Sequence, residues 1–473
     1  MKEYFKLAWR SLWRNKRRTL ITAASIFFAV IIAILMRSFQ LGSYSHMIHN
    51  VVETYTGYIQ VQHEDYWNKK TINNTFEYSD SLAREILNTE NVKDVYPRLE
   101  SFALASSGNA TKGAFVMGVV PEKENEMAAA AEKIVKYQLN DSLVELILEH
   151  EDVSGELADK LQKLSGQSFT SRQDLALDLF GEENPDQELL SYITDHAAIE
   201  GAYIDAGENA VLVAEKLAKF LNITTGDTLI LISQGVHGIS ASGLYPVKGI
   251  IKLPNPELNR AFIYMPLSTA QNFFSAGNRL TSLALNVNNQ DDKHVLQTKE
   301  TLIDKLDKEV YAVMDWKEMN PELVQQIQSD NASGIIMLVV LYVIIAFGIF
   351  STVLMMTAER RREFGVMIAI GMKKFKLTTV VMIEMVFIGL LGTLSGMVMS
   401  IPLVLLGYFN PIRLSGEMAQ SMESFGMEPI MPMAMIDTYY LNQALVILVI
   451  IVLTIIYPVI NIHRLKEIDA LRA

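Results

Sequence analysis

Four stretches of the chain stay apolar for longer than the core of a soluble domain requires. Thr19–Met36 reads TLITAASIFFAVIIAILM, and Ser333–Thr357 reads SGIIMLVVLYVIIAFGIFSTVLMMT without one charge. Leu377–Phe409 is longer than one perpendicular crossing needs, and Leu441–Ile460 reads LNQALVILVIIVLTIIYPVI. About 20 such residues cross the hydrocarbon core of a bilayer, so each stretch predicts a membrane-spanning helix, placed at 19–40, 333–357, 377–409 and 441–461. Between the first two, the pattern changes to short β-rich runs punctuated by Gly, Pro or Asn: GYIQVQ, FALASSG, AFVMGVV, TLILIS, YPVKGIIKL and RAFIYM. SDSLAREILNTE and LSTAQNFFSA open near a serine and carry helical spacing. The expected fold class is therefore an α-helical membrane protein with four transmembrane helices and a large mixed α/β extracytoplasmic domain, residues 41–332, between helices 1 and 2.

The basic residues orient this plan. Lys2, Lys6, Arg10, Arg14, Lys16, Arg17 and Arg18 precede the first span. Arg360, Arg361, Arg362, Lys373, Lys374 and Lys376 lie between spans two and three, and Arg464, Lys466 and Arg472 follow the fourth. Cytoplasmic loops carry the excess of Lys and Arg, which predicts cytoplasmic termini: an amphipathic helix at 1–18, a cytoplasmic segment at 358–376 and a tail at 462–473. Segment 410–440 is then an extracytoplasmic loop. The first span lacks a small-x-small cleavage site after it, and a retained anchor is expected.

Composition sharpens the picture in three places. Half of the residues are hydrophobic, yet 20% are charged, a mixture that suits a membrane anchor with a large aqueous domain. The absence of cysteine removes disulfides, thiolate metal sites and cysteine nucleophiles. The net charge of −12 is local, because residues 121–200 hold 19 acids against 6 bases. That acidic segment, with SLVELILEH, SGELADKLQKL and SRQDLALDLF, reads as a largely helical insertion splitting the α/β domain. Nothing in the chain is basic enough for nucleic acid.

The candidate chemistry centres on AERRREFGVMIAIGMKK, residues 358–374. Helical spacing after Glu359 puts Phe364, Met367 and Ile368 on one side, while Arg361, Arg362 and Lys373 reach water. From the residues alone, such a helix either lies on an anionic membrane surface or docks in a groove of a partner. Glu384, inside the third span, is expected to be an interfacial carboxylate paired with Lys373, Lys374 and Lys376. Gly392 and Gly396 form G-x-x-x-G, which with Gly389 is expected to serve helix packing. Arg37 is expected to snorkel to headgroups. His46, His49, Glu53 and His63 lack the converging set that a metal site needs and read as part of a polar helix. No arrangement suggests catalysis, so neither a catalytic nor a metal site is expected.

The segment ERRREFGVMIAIGMKK resembles the cytoplasmic coupling element of ABC transporter permeases of the FtsX/MacB/LolC/LolE superfamily, matching at Glu359, Arg360, Glu363, Phe364, Gly365, Ala369 and Gly371. FKLAWRSLWRNKRRTLIT, IEMVFIGLLGTLSGMVMS and YPVINIHRLKEIDALRA resemble the same family's first helix, third span and closing segment, with Glu467 where the family has a second proline. The resemblance implies that 358–376 is a coupling helix. Glu359, Arg360, Arg361, Arg362, Glu363, Phe364, Gly365, Ala369 and Gly371 would then meet a separate ABC ATPase subunit. It also implies a second permease chain, identical or homologous. No Gly-Lys pair exists in the chain, so no phosphate-binding loop of the G-x-x-x-x-G-K type is present. No cofactor is expected on this chain; ATP and Mg belong to the partner, which carries any ATPase activity.

TYTGYIQVQHEDYW resembles the stretch after span one in lipoprotein-releasing permeases, at Gly57, Ile59, Gln60, Val61 and Tyr66. This implies extraction of lipoproteins from the inner (cytoplasmic) membrane of a bacterium, the large domain being periplasmic. Phe27, Phe28, Ile31, Phe39, Tyr342 and Phe347 are candidates for acyl-chain contact beside membrane lipid. The alternatives are MacB-like efflux and FtsX-like transmembrane signalling to a periplasmic partner. MacB-type chains carry a fused N-terminal ATPase, whereas this sequence opens directly on the membrane pattern.

Overall fold

The computed structural model describes residues 2–14, 16–150, 153, 155–181, 187–414, 418, 421–422 and 430–464. The chain divides into two compact units, one made of Met1–Met47, Glu322–Gly416 and Pro429–Ala473, the other of Ile48–Pro321 with Glu417–Glu428.

The first unit is helical: α1 (Lys2–Arg14), α2 (Lys16–Ile48), α3 (Pro321–Glu359), α4 (Arg361–Ala369), α5 (Lys374–Phe409) and α6 (Thr438–Arg464). Helices α2, α3, α5 and α6 are long and apolar enough to cross a membrane. Two of them overrun the apolar windows. The polar turns QLGSYSHMI and PELVQQIQSDNA carry no hydropathy signal, but their one proline stands in the first turn, where its missing N–H is harmless, and the single Gly42 weakens the helix without ending it. The α/β unit is accordingly bounded at Ile48 and Pro321 rather than at 41 and 332. Residues Ile26, Val30, Val353, Phe364, Met385, Ile447 and Ile451 share one buried cluster. The two extended ends are stapled by polar contacts: Arg37 donates to Gln40 Oε1 at 2.5 Å and Asn331 Oδ1 at 2.9 Å, and the Tyr44 hydroxyl donates to Asp330 at 2.6 Å. Arg37 is thus held by the chain itself, not extended toward headgroups, because Asn331 stands on the polar extension of α3. The tail with Lys466, Glu467 and Arg472 lies outside the described residues.

The second unit is built on a nine-stranded mixed sheet: β1 (Ile59–His63), β2 (Val92–Ser107), β3 (Ala110–Val119), β4 (Val211–Ala214), β5 (Thr228–Gln234), β6 (Ser240–Ile251), β7 (Phe262–Pro266), β8 (Ser282–Val287) and β9 (Tyr311–Asp315). Their order is β9-β1-β8-β2-β3-β7-β4-β6-β5, and β5 also pairs with β2. Six strands therefore close on themselves, and the long β2 continues outward to carry β8, β1 and β9. A two-residue turn with Gly108 at φ +54 joins β2 to β3, a left-handed conformation that glycine adopts without strain. Inward positions such as Leu99, Val116, Leu229 and Leu231 fill the barrel. Phe102, Leu104, Ile230, Ile232 and Leu244 alternate with them and are exposed.

The acidic stretch 121–200 is not one insertion. Ala128, Ala130, Ile134 and Val135 belong to the barrel core. A separate core begins at Leu139, where Ile147, Leu161, Phe169, Leu175 and Ile193 pack together. Its helices Asp141–Leu148 and Arg172–Phe180 are capped by Asn140 and Ser171 side chains, each accepting a backbone N–H. The helix Leu267–Phe273, by contrast, starts after Pro266 with no side-chain cap, so the serine of LSTAQNFFSA does not open it.

One buried ion pair ties β2 to the helix Pro121–Ala128. Arg98 on β2 is fully buried, donates to both oxygens of Glu124 at 2.9 and 3.0 Å, and also donates to the carbonyl of Tyr55. Removing one partner of a buried pair strands a charge, at a cost of roughly 3–5 kcal/mol. Glu124→Ala should therefore lower the unfolding free energy of this unit by about that much, whereas Arg98→Met with Glu124→Leu should recover most of it. Denaturant titration with hydrogen exchange read on β2 measures both. Burial also raises the Glu100 carboxyl above its ordinary range. A group with a raised folded-state pKa contributes stability at low pH that is lost as pH rises through that pKa. Glu100→Gln should remove that part of the loss, seen as a smaller difference than in the parent between the unfolding midpoints on the two sides of the transition.

Candidate functional site

Helix α3 ends at Glu359 and α4 starts at Arg361, so Arg360 is the break between them, with φ −91 and ψ 4. Helix α4 ends in a Schellman motif. The Met372 N–H donates to the Met367 carbonyl and the Gly371 N–H to that of Ile368, with Gly371 at φ +104. Glycine takes that conformation freely, which is why the helix stops there. The turn is short because its two ends are specified separately.

The nine coupling residues divide cleanly. Phe364, Gly365 and Arg360 are buried within the chain, and Ile368 joins them. Glu359, Arg361, Arg362, Glu363, Ala369 and Gly371 are exposed. Beside them stand exposed apolar side chains: Val366, Ile370 at 81% exposure and Phe375 at 73%. The helix thus presents one apolar edge to its own chain and a second, rimmed by arginines and lysine, outward. The spacing argument found the first; Ile370 and Phe375 were missed because a helix with one core-facing side already accounts for its own apolar residues.

Arg360 is the electrostatic centre. Its Nη1 donates to Glu384 Oε2 on α5 at 2.6 Å, its Nη2 to Ser11 Oγ on α1 at 2.9 Å and its Nε to Glu363 at 3.3 Å. The Ser11 hydroxyl donates in turn to Glu384 Oε1 at 3.3 Å, and Arg14 on α1 pairs with Glu363 at 2.7 Å. The guanidinium also lies over the Phe364 ring, 5.3 Å from its centroid. Glu384 therefore pairs with Arg360, not with Lys373, Lys374 or Lys376. Those lysines open the same helix and are near in sequence, but the carboxylate faces the turn; Lys374 instead reaches the His463 carbonyl on α6.

The three glycines of α5 serve two different neighbours. A methyl group on Gly392 would meet Ala23 O and Ile26 of α2 at 2.7 Å, and one on Gly396 would meet Phe27 O and Val30 at 2.9 Å. One on Gly389 would meet Ile451 of α6 at 2.9 Å. The six candidates for acyl contact differ in exposure. Phe28 and Phe347 are exposed on α2 and α3, Ile31 is buried, Phe27 and Phe39 are half-buried, and the Tyr342 hydroxyl is bound to Gln443. His49 pairs with Glu53 at 2.6 Å, and this hydrogen bond holds the Glu53 carboxyl below its ordinary range. Among the described residues no three His, Asp or Glu side chains come together as metal ligands.

Residues 335–466, which contain the turn, Glu384 and the glycines, match the family model described as FtsX-like permease C-terminal. Over those residues the chain carries an FtsX-like permease C-terminal region, and it is similar to permeases of the FtsX/MacB/LolC superfamily. Its curated relatives include the lipoprotein-releasing system transmembrane protein LolC of Xylella fastidiosa, 23% identical over 41% of this chain and 47% of the relative. The LolC of Neisseria meningitidis is 21% identical over 43% and 49%. A macrolide export ATP-binding/permease protein MacB from Aggregatibacter actinomycetemcomitans is 27% identical over 31% of this chain and 23% of that protein. The matched regions span about half the length of the LolC relatives. Among solved structures, the periplasmic region of MacB from Actinobacillus actinomycetemcomitans aligns with 56% of this chain and 91% of that one, at 13% identity and a TM-score of 0.29.

The close approach of α5 to α2 has a direct test. Gly392→Val should lower the thermal stability of the detergent-solubilised chain markedly, since the neighbours it meets include backbone. Gly348→Val on α3, where nothing lies within 4 Å, should leave it nearly unchanged.

Proposed function

We propose that this chain is the permease subunit of an ABC transporter, driven by a separate ATPase subunit that binds ATP and Mg, and that it lifts lipoproteins out of the inner membrane. The observation that carries the reading is the α4 turn. It is a short helix anchored on one side through Phe364, Ile368 and Arg360; the other side offers Val366 and Ile370 with a basic rim, followed by the exposed Phe375 at the start of α5. That arrangement suits a helix seated in a groove of another protein. Membrane lipid would give the apolar edge a partner too, but it would not require the firm internal anchoring of a turn this short. Both termini and the turn then lie in the cytoplasm, the α/β unit in the periplasm, and a second permease chain, identical or homologous, completes the assembly around an ATPase dimer.

Two features support a hydrophobic cargo. The LolC relatives belong to lipoprotein-releasing systems, and the barrel carries an outward face of Phe102, Leu104, Ile230, Ile232 and Leu244. An exposed apolar patch marks an interaction surface more often than chance. The MacB relative favours a second reading, efflux or signalling through a periplasmic partner.

Purification of the tagged chain from native membranes in mild detergent, followed by mass spectrometry, separates these readings. An ABC ATPase together with acylated proteins is the expected result, and Ile370→Glu should remove the ATPase. An ATPase with a periplasmic adaptor and no lipoprotein would favour the second reading. No ATPase after cross-linking would overturn both.

A further inference from the structure

Arg360 has a place in the turn that docking does not explain. It is 7% exposed, and all three of its donating nitrogens are engaged inside the chain. It is the one residue between two helices, so its backbone belongs to α3 and α4 while its side chain belongs to α5 and α1. Its partners Glu384 and Ser11 are themselves hydrogen-bonded to each other, which closes a triangle of three side chains from three separate segments. Glu363 adds a second link to α1 through Arg14.

Physical chemistry limits what such a triangle can be for. A buried ion pair contributes little net stability compared with apolar side chains of similar size, but it is strict about geometry and register. Hydrogen bonds in a closed network also reinforce one another. A displacement of α4 by less than a helical turn must either carry α5 and α1 along or leave a charge unpaired in an apolar setting, and the second is costly. Packing of Phe364 alone would permit sliding, since apolar contacts are not directional.

We propose that Arg360, Glu384 and Ser11 form a rigid joint that transmits movement of α4 to α5 and α1, with Arg360 as a positioning residue and not a contact to the ATPase. This rests on the reading of α4 as the element that meets an ATPase. The outward surface is then Val366, Ile370, Phe375 and the exposed arginines, while the joint sits behind it. Coupling travels through contiguous elements with defined arrangements, and here the contiguous element is one guanidinium.

The chain has no cysteine, so paired spin labels can be placed without background. Met355→Cys on α3 and Met382→Cys on α5 are both exposed and lie off the proposed docking surface. Distances between labels at these sites within one chain, measured by pulsed electron resonance on the full complex, should give one narrow peak that stays in place when the ATPase is trapped with ATP and vanadate, since a rigid joint moves the end of α3 and α5 together. In Glu384→Gln the peak should broaden and shift with nucleotide, while the ATPase still co-purifies and still hydrolyses ATP. The swapped pair Arg360→Glu with Glu384→Arg should restore the narrow, fixed peak, which separates a joint from a mere folding requirement. A narrow peak unmoved by nucleotide in Glu384→Gln would overturn the joint. So would loss of the ATPase from Arg360→Met but not from Glu384→Gln, since Arg360 would then be a docking contact. Absence of any ATPase from the parent complex would instead overturn the reading of α4 on which the joint rests, while the label distances in the chain alone would still report whether the triangle pins α3 to α5.

Discussion

A guanidinium set where a membrane helix ends must be neutralised, and the rest of this membrane unit is arranged around how that is done. Arg360 stands at the point where α3 stops and α4 turns away, and it is covered rather than hydrated. Covering it requires a carboxylate from another span, which puts Glu384 on the inward side of α5. It also requires a further acceptor, which brings α1 close enough for Ser11 to serve. With those partners fixed, Phe364 falls beneath the guanidinium and α4 has only one face left to show. The orientation of the outward residues is thus a consequence of the inward charge.

The glycines of α5 make that arrangement possible at the level of packing. Gly392 and Gly396 let the backbone of α2 approach until a single added carbon would collide with it. Gly389, one turn earlier, does the same for Ile451 on α6. Close approach of helices in a bilayer depends on small residues because lipid offers no hydrophobic penalty for staying apart. Helix α5 is therefore held from two sides and is the least free of the four, whereas α3 leaves Ile336, Val340, Ile344 and Phe347 uncovered. A joint between a constrained helix and a less constrained one has a defined direction of response.

What was legible in the sequence follows from how strongly each feature is written locally. The membrane helices are uniform apolar runs, and Phe364 and Ile368 recur at helical spacing, so both could be read directly. Strand β5, the outer part of β2 and the first part of β6 alternate because one face meets the core and the other does not. Strands β4 and β8 are buried on nearly every position, so the alternation that marks a strand is missing from VLVA and SLALNV. The partner of Glu384 was misread for a different reason. Three lysines lie within a few turns of it on the same helix, and sequence distance favours them, but Arg360 is 24 residues away and arrives only through the fold. Ser11 gave only a faint sign, its position on the same face as the buried Ala8 and Leu12. Arg98 and Glu124 gave none, since a buried ion pair in one chain looks like two surface charges in a sequence.

The two buried arginines among the described residues, Arg98 and Arg360, can be set side by side. Each takes a charge out of water where an apolar residue would have been at least as stable, and each spends its donors on more than one segment. Arg98 ties β2 to Glu124 and to the backbone carbonyl of Tyr55. Arg360 ties the α3–α4 break to α5 and α1. Apolar contacts hold surfaces together while letting them slip, whereas a guanidinium with three fixed acceptors resists rotation and translation alike. The function proposed above, in which the turn passes movement to the other helices, has more use for the second property than for a small gain in stability. On that argument, the position of each buried arginine marks where relative motion of neighbouring elements has to be suppressed, and the segments without such ties are where motion remains available.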